Sequence, residues 1–578
     1  MDPKFWESDS EIINNKLCTD FQTMESSIKP RHDKYIKYYR LYNGIILPEE
    51  RRKNGANLFI NYTKRTIDAL ISRCLQALFR QKPYVVVSPQ DESQIDQAKY
   101  MQSLIEHQLD NKINIVGKWW NVLLETFLYG TSVPFTDWKL EKKTVKQWKD
   151  IIIPLTGIKI GRKSVNIESV VYDAPMYETT DIFNVFVPPS ASDLKNTECV
   201  CIRTYITPEE FKDRIQSGIY KNNQDVNDQS WPLTDIEKVR LEKQEITDKG
   251  NTNRVKVKTF YYDDRIVTQI NDMYIVQNEE NPNFSMEKPF DRVMWHPMPN
   301  EFWGSSLVEQ IESLQLELNT TRNQRIDNVS LVLNKVFGYN KNSDIDPNTI
   351  ISRPGHCIPM NSPEDIWDIP IPDVTQSAYE EEQIIKQDIQ YITLVNDYSM
   401  GATTSGAADE TATAVRNKTD SANVNFNTVV MMLNNTGLMP LYDKMVKLNM
   451  QYMMRPENIR IDTQEGSTAK QVTQDMISGD YGLIPANPNF ELPISKETKR
   501  QDLVALIGII SKVPQMAQLI NYQAYLKKLL ELYDIKDSDQ IMQNPQAMQA
   551  MQGITPGIPM QGTNTGTIPQ EVEQSGYG

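Results

Sequence analysis

The chain has 578 residues, of which 39% are hydrophobic and 24% are charged, a composition typical of a globular protein with a sizeable core. Acidic residues outnumber basic residues by 76 to 61, and the net charge of −15 argues against binding nucleic acid over the whole surface. Five scattered cysteines exclude a disulfide scaffold and favour a reducing compartment. The longest apolar run, over 504–510, is too short to span a membrane, and the acidic N-terminus lacks the apolar core of a signal peptide. We therefore expect a soluble protein that is neither secreted nor membrane-spanning.

The first 300 residues are predicted to mix helices and strands. Helices are predicted where apolar residues recur at helical spacing, and strands where β-prone residues alternate with polar ones. In chain order these elements are helices over 1–82, 93–110 and 116–129, β-structure over 138–187, and a hairpin over 254–276.

The chain after residue 300 is predicted to be mainly helical. A long helix over 305–332 is followed by Pro-rich, β-prone pieces and by a second helix over 378–396. A small, polar stretch then precedes a helix from 410 to about 452, which we expect to bend near Gly437 and Pro440. Further helices are predicted over 499–511 and 517–532, before a Gln- and Gly-rich tail expected to be disordered.

Residues that could support catalysis are few. The chain has four histidines, and it contains no phosphate-binding loop and no metalloprotease or nucleophile-elbow motif. His356 and Cys357 are adjacent in sequence, which does not by itself bring a catalytic pair together. Asp263 and Asp264 resemble paired magnesium ligands, but they lie between two predicted strands, where aspartate favours a turn. We predict no catalytic residue, no metal and no cofactor.

Several stretches, in order, resemble signatures of the portal proteins (head-to-tail connectors) of tailed bacteriophages, of the podovirus type. The resemblance in order covers roughly residues 30–455. The stretches are NLFINYTKRTIDALISRCLQALFRQKPYVV (57–86), LLETFLYGTSV (123–133), HPMPNEFWGSSLVEQIESLQLELNTTRNQRIDN (296–328) and SGAADETATAVRNKTDSANVNFNTVVMMLNNTGLMPL (405–441).

The resemblance implies a helix-rich α+β subunit of the portal type. Its parts would be an α/β wing, a two-helix stem, a small β-containing clip, a tunnel loop, a long bent helix and a helical crown. Laid onto this chain, they are the wing at 1–300, the first stem helix at 301–334, the clip at 335–374, the second stem helix at 375–398, the tunnel loop at 399–410, the long tunnel and wing helix at 411–455, the crown at 456–540 and a low-complexity tail at 541–578.

The resemblance also implies a function. Portal proteins form a ring, usually of twelve subunits, at one vertex of the capsid, and double-stranded DNA passes through the channel without sequence specificity during packaging and ejection. The clip would dock the terminase and later the head-to-tail adaptor, and the ring would also contact the major capsid and scaffolding proteins. Assembly is expected in the host cytoplasm and the final location is the virion, with no membrane involved.

Three groups of residues are predicted to carry this function. The stem would pack through Gly304, Leu307, Ile311, Leu314 and Leu318. The clip would dock its partners through Trp367, Ile369 and Ile371. The tunnel loop would face DNA with Gly401, Thr403, Thr404, Ser405, Gly406 and Asp409.

The sequence leaves other interpretations open. The chain could be a different virion protein, such as an adaptor or an internal ejection protein, or a metal-dependent nucleic-acid enzyme that uses Asp263 and Asp264. The small residues over 401–409 could form an ordinary helix connector, and the strand at 366–372 could complete a sheet of its own subunit. Residues 375–410 carry a net charge of −6, and these acids could line the channel or solvate the outer face of a helix.

Overall fold

The computed structural model describes residues 3–485 with gaps, and beyond residue 485 it describes only Leu503, Leu506 and Leu529. The gaps are 8, 54, 81, 153–158, 222–230, 245, 247–252, 335, 343–344, 351–356, 361, 396–424 and 464–465. The chain divides into a compact unit, Met1–Leu492, and a second unit, Pro493–Gly578.

Helices and strands alternate along the compact unit, which confirms the predicted α+β class. The helices are α1 (Ser10–Asn43), α2 (Tyr62–Phe79), α3 (Ile95–His107), α4 (Ile115–Tyr129), α5 (Pro208–Gln216), α6 (Asp235–Lys243), α7 (Leu307–Leu333), α8 (Thr375–Thr393) and α9 (Met439–Tyr452). The strands are β1 (Val85–Pro89), β2 (Thr131–Ile152), β3 (Lys159–Thr180), β4 (Val185–Phe186), β5 (Val200–Ile206), β6 (Val255–Tyr261), β7 (Arg265–Ile270), β8 (Tyr274–Glu280), β9 (Val293–Met294), β10 (Phe337–Tyr339), β11 (Ile366–Asp368), β12 (Glu457–Thr463), β13 (Gly466–Val472) and β14 (Tyr481–Pro485).

The helical core forms because α1, α2 and α4 each bury one apolar face. Apolar residues of α1 recur every three or four positions, and the helix ends at Gly44, which adopts the left-handed conformation that glycine tolerates. Trp119 of α4 is fully buried in this core, beside buried residues of the helical stretch that begins at residue 425. A π-helical turn, Asn434–Leu438, interrupts that stretch where the sequence predicts a bend.

A five-stranded antiparallel sheet, in the order β4-β5-β6-β7-β8, packs against the first half of α1. The predicted hairpin over 254–276 is confirmed as β6 and β7, which turn at Asp263 and Asp264. The β-structure predicted over 138–187 takes the form of one long hairpin, in which β2 and β3 pair from Val133↔Thr180 out to Ile152↔Lys159.

The region after residue 456 differs from its predicted helical character. Strands β12 and β13 form a hairpin, and β14 pairs antiparallel with β1, so that Pro485 lies opposite Val85. Residues such as Ile459 and Val472, which are β-branched and buried, favour strands there. The first part of the predicted crown is therefore β-structure.

Candidate functional site

The start of α7 requires glycine at two positions. A Cβ atom on Gly304 would lie 2.7 Å from the carbonyl oxygen of Gly130, and one on Gly130 would lie 2.3 Å from that of Gly304. The Gly304 amide donates a hydrogen bond to Thr131 Oγ1 at 2.8 Å. Ser306 caps the helix, because its Oγ accepts a hydrogen bond from the amide of Val308 at 3.0 Å. The helix thus starts at a close backbone contact with the turn between α4 and β2.

Helices α7 and α8 pack against each other in antiparallel orientation. Near the C-terminus of α7, Asn328 hydrogen-bonds to Pro372 and Val374 just before α8 begins. At the other end, side chains of both helices form one buried apolar cluster with Tyr62. The buried members are Ile311 and Leu318 of α7 and Ile385 and Ile389 of α8, with Leu314 half-buried beside them.

A buried carboxylate holds the middle of this helix pair. Glu382 of α8 is buried, and its side chain forms ion pairs with two arginines of α7. Arg322 approaches Oε2 at 3.0 Å, and Arg325 approaches Oε1 at 3.1 Å. Because a buried carboxylate is strongly unfavourable without partners, the two arginines fix the register of the helices.

A polar stripe on α7 binds the chain segment just before α2. Asn319, Asn323 and Asp327 accept hydrogen bonds from the backbone amides of residues 60, 58 and 56, at 2.9, 2.8 and 2.7 Å. Gln315 continues the stripe, accepting from the amide of Thr63 at 2.9 Å and donating to the Ile60 carbonyl at 2.7 Å.

The spacing of these side chains along α7 matches the spacing of the backbone amides that they bind. Four residues of a helix rise about 6 Å, and two residues of an extended chain advance about 6.6 Å, so each side chain meets every second amide. Sequence reasoning misses these residues because it follows only the apolar positions of the helix. The signal is present as amide and carboxyl side chains at every fourth position from Gln315 to Asp327.

Residues 31–82 include 12 Lys or Arg and 4 Asp or Glu, and part of this positive charge is neutralised by acids of α7. Lys34 lies 3.5 Å from Glu309, Lys37 pairs with Glu312, and Arg52 lies 2.7 Å from Asp327. These bases lie on α1 and in the segment that follows it, so the pairs tie the N-terminal region to the long helix.

A two-stranded hairpin lies between α7 and α8. Strands β10 and β11 pair antiparallel, with Gly338 opposite Trp367. The Trp367 ring covers Gly338 so closely that a Cβ atom there would lie 2.5 Å from it, yet the side chain is 52% exposed. Ile369 is also exposed and Ile371 is half-buried. Within the described residues, β11 pairs with β10 alone. One edge of β11 therefore completes a sheet of its own subunit, in line with the alternative interpretation of this strand.

The hairpin and α8 are joined by a short polar turn. Asp373 accepts hydrogen bonds from the backbone amide of Thr375, at 2.9 Å, and from its hydroxyl. These two hydrogen bonds hold the pKa of the exposed Asp373 carboxyl below its usual range. A charged acceptor therefore lies at the N-terminus of α8, where the helix dipole favours it.

Arg73 of α2 contacts both ends of the segment that contains the predicted tunnel loop. Its Nη1 donates to the carbonyl of Leu394, the left-handed residue that ends α8, at 3.0 Å. Its guanidinium also lies over the Phe426 ring, 3.9 Å from the centroid, and burial lowers its pKa. The predicted loop residues, Gly401, Thr403, Thr404, Ser405, Gly406 and Asp409, lie outside the described residues.

Comparison with protein-family models matches the chain to the family described as Phage SU10 portal protein, over residues 152–565. The chain belongs to this family of phage portal proteins. Its members are structural proteins, and membership implies an oligomeric ring that associates with the capsid. No curated protein matches the chain.

Asp263 and Asp264 lie in the turn between β6 and β7, where the sequence predicts a turn. Asp263 forms an ion pair with Lys288 at 2.6 Å, as expected for a structural turn. Among the described residues, no group of three His, Cys, Asp or Glu side chains could hold a metal ion. Cys357 is exposed, whereas His356 lies outside the described part of the chain. Of the helices in that part, none is both long and apolar enough to cross a bilayer.

Proposed function

We propose that the chain is one subunit of a ring, of twelve copies, that forms the DNA channel at one vertex of a phage capsid. The observation that carries this proposal is the antiparallel pair of α7 and α8, joined by a hairpin with an exposed aromatic residue, inside a chain of the portal family. The ring would conduct double-stranded DNA during packaging and ejection. It would assemble in the host cytoplasm and remain in the virion.

In this proposal α7 and α8 belong to the stem, the predicted segments 301–334 and 375–398. Glu380, Glu381 and Asp388 are exposed on α8, whereas Glu382 is buried between arginines. Exposed carboxylates would repel phosphate groups, so DNA would slide past the ring without a deep binding minimum. The loop over 399–410 would extend this acidic lining, with Thr403, Thr404 and Ser405 nearest the DNA.

The hairpin between the helices belongs to the clip, 335–374, which we assign to docking of the terminase and later the adaptor. Trp367, Ile369 and Tyr339 are all exposed on this small two-stranded sheet. Exposed apolar side chains are a feature of surfaces that bind another chain. The support is therefore chemical: the clip offers exposed apolar anchors.

The remaining parts follow the predicted domains. The wing, 1–300, and the long helix, 411–455, would surround the stem and contact the major capsid and scaffolding proteins. The crown, 456–540, would begin with the β12–β13 hairpin and face the capsid interior. The low-complexity segment 541–578 would follow the crown.

The ring is tested by negative-stain electron microscopy of the purified chain without DNA. We expect rings with a central hole, because the stem leaves apolar residues that a neighbour can cover. Light scattering on the same samples gives the mass of the assembly. A monomer near 66.6 kDa at every salt and protein concentration would contradict the proposal.

The clip assignment is tested by Trp367→Ser. Rings should form normally, while affinity for the terminase or adaptor of the same phage falls at least tenfold, because the largest exposed anchor is lost. Phe284→Ser is the matched control, since Phe284 is an exposed aromatic residue of the wing. Unchanged affinity in the Trp367 variant would reject the docking role of 335–374.

The loop assignment is tested by Thr404→Lys, which adds twelve positive charges to a ring of twelve. Packaging or ejection should slow, more severely at low salt, because screening of the new phosphate contacts is then weakest. Thr404→Ser is the control, since it keeps a small hydroxyl. Normal DNA transit at low salt in rings that carry the lysine would contradict the assignment.

A further inference from the structure

The outer part of the long β2–β3 hairpin, residues 142–152 and 159–170, forms an arm in which none of the side chains that the structure describes is buried. A bulge between Glu141 and Lys142 marks where it begins, and the two strands then pair with each other as far as Ile152↔Lys159. Strand β9 pairs with β2 only near its start, at Thr131 and Ser132. The eleven residues from the bulge to Ile152 reach about 35 Å. An isolated two-stranded ribbon is marginally stable in water, so such an arm requires a surface to lie on.

Both faces of this arm carry exposed apolar side chains. Val145 lies directly opposite Ile167 and is 48% exposed, and Val165 lies on the same face opposite Gln147. On the other face, Trp148 lies opposite Ser164 and is 66% exposed. Tryptophan is among the side chains that most often anchor protein interfaces, and the β-branched pair adds apolar area on the opposite face of the arm.

The arm is basic in an acidic protein. Its exposed side chains include five bases, Lys142, Lys143, Lys146, Arg162 and Lys163, and one acid, Glu168. Lys143 pairs with Glu141 at the root of the arm, at 3.0 Å. Because the whole chain has a net charge of −15, a second copy has a net charge opposite in sign to that of the arm, which favours their association.

We propose that this arm lies on the surface of the neighbouring copy in the ring and holds the two subunits together. The binding partner of the arm is a second copy of this chain, because the arm combines apolar anchors with positive charge and each copy has a negative net charge. Nucleic acid would satisfy the charge, but it would leave the Val145, Val165 and Ile167 face uncovered. This inference rests on the proposed ring and adds the element that joins its subunits.

The test shortens the hairpin. Residues 143–169 are replaced by Asn-Gly, which forms a tight two-residue turn between Lys142 and Val170. The part of the hairpin that packs on the core is retained, so the melting temperature of the dissociated subunit should stay within a degree or two. We expect rings to dissociate at a protein concentration at least tenfold higher than wild type, as measured by mass photometry.

Point variants separate packing from charge. Trp148→Ser and the double variant Val145→Ser/Ile167→Ser should each weaken the ring, whereas Leu140→Ser, an exposed residue before the bulge, should not. Replacing both Lys142 and Lys146 by glutamate should weaken the ring, and this effect should be largest at low salt. A photo-crosslinking residue in place of Trp148 should yield covalent dimers and larger ladders in the absence of DNA.

The outcomes distinguish this inference from the proposed function. If the wild-type chain forms no rings, the proposed function fails and the arm's role fails with it. If wild-type rings form and the shortened variant gives rings of equal stability, only the arm's role is overturned. Crosslinks confined to one chain, or lost DNA retention in rings of unchanged stability, would overturn it as well, the latter in favour of a nucleic-acid contact.

Discussion

The two halves of α7 are stabilised in different ways. Its N-terminal half buries Leu307, Ile311 and Leu318 inside the subunit. Its C-terminal half is held mainly by polar side chains, including Asn323 and the arginines that bind Glu382, while Leu333 is 72% exposed. The same helix is therefore a core element at one end and a polar-tethered element at the other.

The difference shows how a subunit can position a helix without covering it. Apolar burial is non-directional and would hide the very residues that a neighbour or partner needs. Directional hydrogen bonds fix the helix along one line and leave the other faces open. In the C-terminal half this leaves Leu331 and Leu333 exposed beside the hairpin with Trp367. Within the proposed ring, those residues become contact surface.

The largest expected effect comes from removing the buried carboxylate of α8 that binds the C-terminal half of α7. Glu382→Ala should destabilise the α7–α8 pair by about 3 kcal/mol, because two arginines lose the carboxylate that compensates them. Hydrogen-exchange mass spectrometry of peptides from both helices measures this as roughly a hundredfold faster exchange. Glu381→Ala, next to it and exposed, should change exchange little. Equal effects of the two variants would mean that the buried ion group does not hold the pair.

The apolar half is tested by a pair of leucine truncations. Leu318→Ala should lower the stability of the subunit by about 2–3 kcal/mol, because it leaves a cavity in the cluster with Ile385 and Ile389. Leu333→Ala should leave the subunit within about 0.5 kcal/mol of wild type, since its side chain already meets solvent. Thermal unfolding of the dissociated subunit compares the two. If Leu333→Ala were as damaging as Leu318→Ala, the contrast between the halves would be wrong.

Sequence reasoning predicts the apolar half but not the polar one. The long helix predicted over 305–332 lies at Leu307–Leu333, and the second, predicted over 378–396, lies at Thr375–Thr393. Periodic apolar residues fix such elements because one face must be buried. The polar stripe is missed because each amide on it also fits a solvated helix surface. Its role depends on the segment 56–60, about 260 residues earlier in the chain.

Strands, too, are predictable from the sequence only where apolar residues mark one face. The hairpin of β6 and β7 is predictable because one face is apolar and the turn carries two aspartates. The long β2–β3 hairpin is predicted only as pieces, since past its bulge it carries charged and apolar residues on both faces. The β12–β13 hairpin lies where helical structure is expected, although Ile459 and Ile461 alternate with polar residues in the sequence. A period-two signal over seven residues is short and is outweighed by the resemblance to a helical crown.

The smallest expected effect concerns single members of the polar stripe. Asn323→Ala, in the C-terminal half of α7, removes the acceptor of the Leu58 amide and the donor to the Leu58 carbonyl, at 2.8 and 3.0 Å, and should cost about 1 kcal/mol locally because both hydrogen bonds are lost. Gln324→Ala, on the exposed side of α7, is the control and should change nothing measurable. Hydrogen exchange is read at the amides of residues 56–63. Faster exchange there, with the N-terminal half of α7 unchanged, would mean that the stripe holds the segment to the helix and that the apolar half is stabilised independently. Faster exchange along all of α7 would instead mean that the two halves form one cooperative unit.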